Sequence, residues 1–298
     1  MRVITNTVSA NILQQIQQLS TQQAKLQTQV ATGQKLFQPE DDPAAVGRIL
    51  NLESERRQVA QYGRNAVRAL ELSQSSFAGL QGLKKVSDRA TELGTLGGGM
   101  SGPAAYTAYA AETNQLVEQA LELANTRSRN DYIFGGTAVG TPPFVAARNA
   151  QGQITGVTYA GNSAGASIPL SETSGITPTT GGTTNAQLRD FINSLVALRD
   201  GLTAGNSPAI SSAQQSLLTD ENELVSALAE HGGIQTRIEA AQVAQRDRGD
   251  DLGKLVSGEA DTDIPTTIVK LNQAQLAYQA ALQSAANIMK ISLLDYLH

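Results

Sequence analysis

The sequence predicts a mainly α-helical protein with a small β insert, an elongated helical rod and coiled coil whose N- and C-terminal ends pair with each other. Three observations predict it. Apolar residues recur at alternating intervals of three and four at both ends of the chain. Two inner stretches of roughly fifty residues keep helical spacing with few breaks. Between them lies a tract dense in Gly, Ser and Thr with short apolar alternations.

The first helix is predicted from Ile12, Ile16, Leu19, Gln23, Leu26 and Val30, spaced 4, 3, 4, 3 and 4, the a/d alternation of a coiled coil. Gly33 ends it. Ten Gln residues between positions 14 and 38 leave this stripe thin, so the segment is expected to be marginal alone and disordered in the free monomer. Asp42-Pro43 opens the next helix, with Asp as N-cap and Pro at the first helical position, where its missing N–H costs nothing. That helix is expected to run to about Leu96 along Val59, Tyr62, Ala66, Ala69, Ser73, Ser76, Leu80, Leu83, Ser87 and Ala90, and to break at Gly97–Gly99. Its many small seam residues imply close helix approach. Ser101 and Pro103 open a third helix, with Tyr109, Thr113, Leu116, Ala120 and Leu123 as its seam.

Residues 131–185 hold ten of the 27 glycines and the pair Pro142-Pro143. One strand is expected over Gln153–Ala160, paired with Phe144–Ala147 across a turn at Asn149–Gly152, and 171–184 is expected as a flexible return. Helix then resumes over about 186–203, and Ser207-Pro208 caps another that runs to about Leu255 with Ala213, Leu217, Asp220, Leu224, Ala227 and His231 in its early seam. The last helix begins near Asp263. Ile264, Ile268, Leu271, Gln275, Tyr278, Leu282, Ala285 and Met289 alternate by 4 and 3 along it without a miss. Two thin seams at opposite ends of one chain are natural partners, because either alone exposes an apolar stripe. Ile12, Ile16, Leu19 and Leu26 are therefore expected to face Leu271, Tyr278, Leu282 and Met289, with Val30, Ile268, Leu293 and Leu294 completing an assembly interface covered further by other subunits.

Composition narrows the function. The 298 residues are 40% hydrophobic but only 4% aromatic and contain no Trp, so the apolar content is mainly Ala, Leu, Ile and Val, which suit narrow helix seams. The net charge of -5 is uneven: +3 over residues 1–39, +1 over 270–298, and -9 between. Such a balance argues against nucleic acid and against an anionic membrane as partners. No apolar run approaches the roughly 20 residues that span a bilayer, and Met1–Ser20 lacks the features of a secretory signal. By these signals alone the protein reads as soluble and cytoplasmic.

Catalytic parts are missing. There is no Cys, and His231 and His298 lie far apart, so thiolate metal sites and triads lack members. Asp41-Asp42, Asp250-Asp251 and Asp261/Asp263 lack the ligand spacing of a calcium loop and read as caps and solvated turns. Gly97–Gly99 has neither a preceding strand nor a Lys for phosphate. Arg56-Arg57 and Lys84-Lys85 read as exposed helix faces. No catalytic residue, metal site or cofactor is expected, and the predicted activity is packing.

Three stretches carry a family resemblance. They are Ala31-Thr32-Gly33-Gln34-Lys35 with Pro39-Glu40-Asp41-Asp42-Pro43-Ala44-Ala45; Ala124-Asn125-Thr126 with Tyr132-Ile133-Phe134-Gly135-Gly136 and Thr141-Pro142-Pro143-Phe144; and Ile291-Ser292-Leu293-Leu294-Asp295-Tyr296-Leu297. In order and nesting they resemble the flagellin superfamily end to end, and within it the junction proteins between the bacterial flagellar hook and its filament. Glu40 stands where the family has Ser; Asp42-Pro43 supplies a helix cap by itself. The resemblance implies a terminal coiled-coil assembly domain (1–39 and 262–298), a helical rod domain (40–130 and 186–261) and an outward-facing β-rich domain (131–185). It implies an adaptor that is no enzyme, partnered by copies of itself in a ring, by a hook-associated protein on the hook side and by flagellin or another junction protein on the filament side. It also revises the compartment: made in the cytoplasm, held at its C-terminal helix by a cytosolic export chaperone, and secreted to the extracellular flagellum by type III export without a cleaved signal peptide. A filament flagellin, and a type III needle-tip or translocator protein, remain as alternatives.

Overall fold

The computed structural model describes the backbone of residues 2–99 and 102–294 and the side chains of 10–99 and 102–287. The expected start at Ser101 and the seam positions Met289, Leu293 and Leu294 fall outside the described side chains. The described elements are helices α1 (Arg2–Thr32), α2 (Pro43–Gly98), α3 (Pro103–Ala124), α4 (Gly182–Ala204), α5 (Ser207–Ala260) and α6 (Ile264–Leu294), with short strands β1 (Arg127–Ser128), β2 (Asp131–Tyr132), β3 (Phe144–Arg148), β4 (Ile154–Tyr159), β5 (Ile168–Pro169) and β6 (Gly175–Ile176). The fold is mainly α, with three two-stranded antiparallel sheets between α3 and α4. No described helix is long and apolar enough to cross a membrane.

The chain divides into two compact units. One is Met1–Gln58 with Arg248–His298, and the other is Val59–Asp247. Helices α2 and α5 contribute to both.

In the Val59–Asp247 unit the predicted α2 seam is the buried face: Val59, Ala66, Ala69, Ser73, Ser76, Leu80, Leu83, Ser87 and Ala90 are all buried. The α5 seam from Ala213 to His231 is buried likewise. Period 3.6 explains both, since apolar and small residues at 3/4 spacing form one stripe that leaves water together. The glycines after Leu96 behave differently from expectation. Helix α2 continues through Gly97 to Gly98, because Gly97 is buried where a Cβ would collide with Leu202. Glycine is there for close approach, and the helix breaks only beyond it.

The strand segment shares this core. Phe144, Ile154 and Val157 belong to one buried cluster with Leu80 and Leu83 of α2, Val117 of α3, Phe191 and Leu195 of α4, and Leu217 of α5. Strands β3 and β4 pair in the expected hairpin, with Asn149 Oδ1 accepting from the Gln151 and Gln153 amides to fold the turn. A two-stranded hairpin leaves backbone groups unpaired on both edges. Two asparagines satisfy them. Asn193 of α4 accepts from Val157 N at 2.8 Å and donates to Val157 O at 3.0 Å. Asn125, the cap residue after α3, accepts from Phe144 N at 3.1 Å and donates to Phe144 O at 2.9 Å. Each amide acts as a one-residue strand. The buried Arg199 adds a third tie, donating to Ile154 O at 2.6 Å.

The tract 171–184, expected as a flexible return, is ordered. Leu170 and Ile176 are buried in a second cluster with Ala66, Ala69 and Ile238. Asn65 and Gln245 donate to the carbonyls of Pro169 and Leu170, each at 2.9 Å. Its Thr and Ser residues gave a loop composition, while its buried positions are Ile176, Pro178 and Thr180.

Replacing Asn193 by Ala strands two backbone groups of the buried Val157. The expected cost is about 2 kcal/mol, read by denaturant unfolding of the chain, with weakened amide protection in β4 as the local signature.

Candidate assembly interface

Residues at both chain ends build the Met1–Gln58 and Arg248–His298 unit, in which α1 packs along α6. On α1 the side toward α6 carries Ile12, Ile16, Leu19, Gln23, Leu26 and Val30, of which Leu26 is buried and the others half-buried. On α6 Thr267 and Ala274 are buried, and Leu271, Gln275, Tyr278, Ala281 and Ala285 are half-buried.

This corrects the sequence reading of α6. Leu271 and Tyr278 lie in the seam as expected, whereas Leu282 is 43% exposed and Ile268 is 41% exposed. A 4/3 alternation through Leu271, Tyr278 and Ala285 is met equally by Gln275 and Leu282 or by Ala274 and Ala281. The pairing covers Ala274 and Ala281 together with Gln275, and leaves Leu282 outside. Hydrophobicity alone favoured the first. The missed seam members are thus Thr267, Ala274 and Ala281, and their signal was small size rather than apolar bulk.

One consequence is that α6 keeps an apolar surplus. Ile264, Ile268, Val269 and Leu282 are exposed, and Leu276 is 67% exposed. A helix apolar on several faces is suited to burial on several faces, and α1 covers only one. Leu13 on α1 is also exposed.

The connections around the pair are held by polar groups. Gly33 takes φ +74°, the left-handed conformation that closes α1, and its N–H reaches Gln29 O at 2.9 Å. Lys35 N then donates to Ala260 O at 2.7 Å and Thr262 N to Gly33 O at 2.8 Å, so the loop leaving α1 and the link from α5 to α6 bridge each other. Asp41 gathers the loop: it accepts from Lys25 Nζ at 2.6 Å and from the Phe37 and Gln38 amides at 3.1 and 3.2 Å. The Lys25 hydrogen bond first, then those two amides, hold its carboxyl down to about 2. Asp42 Oδ1 accepts from Ala44 N at 3.1 Å and Ala45 N at 2.9 Å, and Pro43 is the first residue of α2. Arg48 makes a two-pronged pair with Glu259, at 3.0 and 2.9 Å, tying the start of α2 to the end of α5. Among the described residues no group of three His, Asp or Glu could hold a metal ion.

The elements that carry this geometry also carry a family match. Residues 3–138 match the model of the bacterial flagellin N-terminal helical region. Solved structures share the fold at low identity. A putative flagellar hook-associated protein from Vibrio parahaemolyticus matches with TM-score 0.66 and 16% identity, covering 74% of this chain and 100% of that one. Bacillus cereus FlgL matches with TM-score 0.60 and 19% identity, covering 70% and 99%. The flagellar junction protein FlgL from Legionella pneumophila matches with TM-score 0.51 and 13% identity, covering 72% and 99%. No curated protein matches the sequence significantly.

Two outcomes follow from this geometry. Leu26→Ala removes the buried centre of the α1 stripe and is expected to cost about 2 kcal/mol or more in the terminal unit, measured by the loss of α1 helicity on heating. The Asp41 carboxyl lies below its unfolded value, so its contribution is complete above about pH 4 and disappears as pH falls toward 2. NMR of the Phe37 and Gln38 amides should show that transition in the native chain, and Asp41→Asn should abolish it.

Proposed function

We propose that this chain is a flagellin-family protein, a secreted adaptor that joins the flagellar hook to the filament by helix packing. The observation that carries the reading is the apolar surplus on α6, where Ile268, Leu276 and Leu282 stand exposed beside a seam that α1 has already filled. Burying a side chain of that kind contributes roughly 1.5–3 kcal/mol, so several on one helix make a strong drive toward further subunits. In this reading residues 1–39 and 262–298 form the assembly domain, 40–130 and 186–261 the rod, and 131–185 the outward-facing part. The interface is Ile12, Ile16, Leu19, Leu26, Val30, Leu271 and Tyr278 within the chain, with Ile268 and Leu282 offered to neighbours; Met289, Leu293 and Leu294, expected in the same interface, lie outside the described side chains.

Partners follow from the same surplus. Copies of the chain arranged in a ring cover α6 laterally, a hook-associated protein meets one end and flagellin or a second junction protein meets the other. Before export the apolar C-terminal helix needs a cover in the cytoplasm, which a chaperone supplies. The place of action is the extracellular flagellum, reached through the type III channel. A junction role is preferred to a filament role on the C-terminal residues Ile291–Leu297, which resemble those of junction proteins, and on the structural neighbours, which include a putative hook-associated protein and a junction protein. Catalysis has no part in it.

Leu282→Asp places a charge on the outer stripe of α6 while sparing the α1 seam. The Val59–Asp247 unit should stay folded by circular dichroism, and the variant should fail to restore filament attachment in cells lacking the protein. Restored filaments would overturn the packing role. Purified protein that grew long filaments by itself would favour a filament subunit instead. Hydrogen exchange on the free monomer should be fast over α1 and α6 and slow over α3 and α4; slow exchange at both ends would show that they need no neighbour.

A further inference from the structure

Asp220 lies inside the apolar seam of α5, between the buried Leu217 and Leu224, and is itself only 7% exposed. Ser194 of α4 is near enough to its carboxyl group to favour the ionised form. Carboxyl oxygen Oδ2 is buried and has no hydrogen-bond partner among the described residues. Beside the carboxyl is a gap walled by Thr184, Gln187 and Leu188 of α4 and by Glu223, Leu224 and Ala227 of α5, and that gap is too narrow to admit a water molecule.

The charged groups around it offer no counter-ion. Asp190 of α4 and Glu223 of α5 are near enough to act on Asp220, and both are acids. Arg189 is turned to Asp190 at 2.8 Å. Lys84 of α2 is engaged by Asp88 at 2.5 Å and by Glu221 at 3.1 Å. An ionised Asp220 would therefore be neither hydrated on Oδ2 nor paired, which is the costly arrangement for a buried charge.

We infer that Asp220 is a proton-holding latch: α4 and α5 close over a neutral carboxylic acid, and loss of that proton loosens the seam between them. Burial, with the Glu223 and Asp190 charges added to it, outweighs the opposing effect of Ser194 and pushes the pKa up from the ordinary carboxylate range to about 6. Because the folded value lies above the unfolded one, the folded state binds more protons between about pH 4 and 6. The contribution of Asp220 is full below that window, declines as pH rises through it, and is gone above about pH 7. His231, eleven residues along the same helix, works the other way: burial lowers its pKa, so its contribution is lost as pH falls below about 6.5. It is common to native chain and Asp220 variants, and so cancels in their comparison.

The test is carboxyl carbon NMR of the full chain, native and Asp220→Asn, with amide exchange in α4 and α5 measured from pH 5 to 7.5. A carboxyl titrating near pH 6 should be present in the native chain and absent from the variant. After correction for intrinsic exchange, opening of the α4 and α5 amides should rise with pH in the native chain relative to the variant by on the order of tenfold, the variant keeping only the pH dependence of His231. Ser194→Ala gives a second reading that does not need the Asn variant to fold, since removing its hydroxyl should move the Asp220 titration higher. All carboxyls titrating below about pH 5, equal pH dependence in native and Asn chains, or a Ser194→Ala midpoint that does not rise would each overturn the latch.

Discussion

Pairing of α1 with α6 is the contact on which the terminal unit depends. Neither helix is stable on its own terms: α1 is diluted by Gln, and α6 is apolar on more faces than it can hide. The pairing covers Ala274, Ala281 and Ala285 and leaves Ile268, Leu276 and Leu282 outside. Stability inside the chain and readiness to bind outside it thus come from one choice of register. The polar groups at Gly33, Lys35, Asp41 and Thr262 then fix the connections that bring the two helices side by side.

The other unit solves a different difficulty. Short strands between long helices leave backbone donors and acceptors without partners, and burying them in that state would be costly. Asn125, Asn193 and Arg199 supply the missing partners from helical positions, so the hairpin can share a core with α2 to α5. Residues far apart in the sequence meet here. Asn125 and Phe144 stand in the same resemblance stretch, and the side chain of one pairs with the backbone of the other.

Buried polar groups recur along the long helices as well. Ser73, Ser76 and Ser87 occupy seam positions where their size matters more than their hydroxyls, while Asp220 and His231 occupy positions where leucine would be the bland choice. In a seam of this kind, the hydrophobic pattern tolerates a polar residue as long as that residue can be neutral.

Much of the fold could be read from spacing alone. The α2 stripe from Val59 to Ala90, the α5 stripe from Ala213 to His231, the Asp42-Pro43 start of α2 and the β3–β4 hairpin all follow from short-range physics, in which period, cap and turn residues act within a few positions of one another. Where the reading departed from the structure, the deciding partner lay far away in the chain. Gly97 lies in α2 where an added Cβ would meet Leu202, the Pro169-Leu170 segment leading into 171–184 is held by Asn65 and Gln245, and α6 covers Ala274 and Ala281 rather than Leu282. The sequence by itself determined which segments are helices, where they start, and that both ends carry unfinished apolar stripes. Only the tertiary structure decided which side of α6 is spent within the chain and which is left for others, since periodicity alone marks both sides equally and the opposing helix covers one of them.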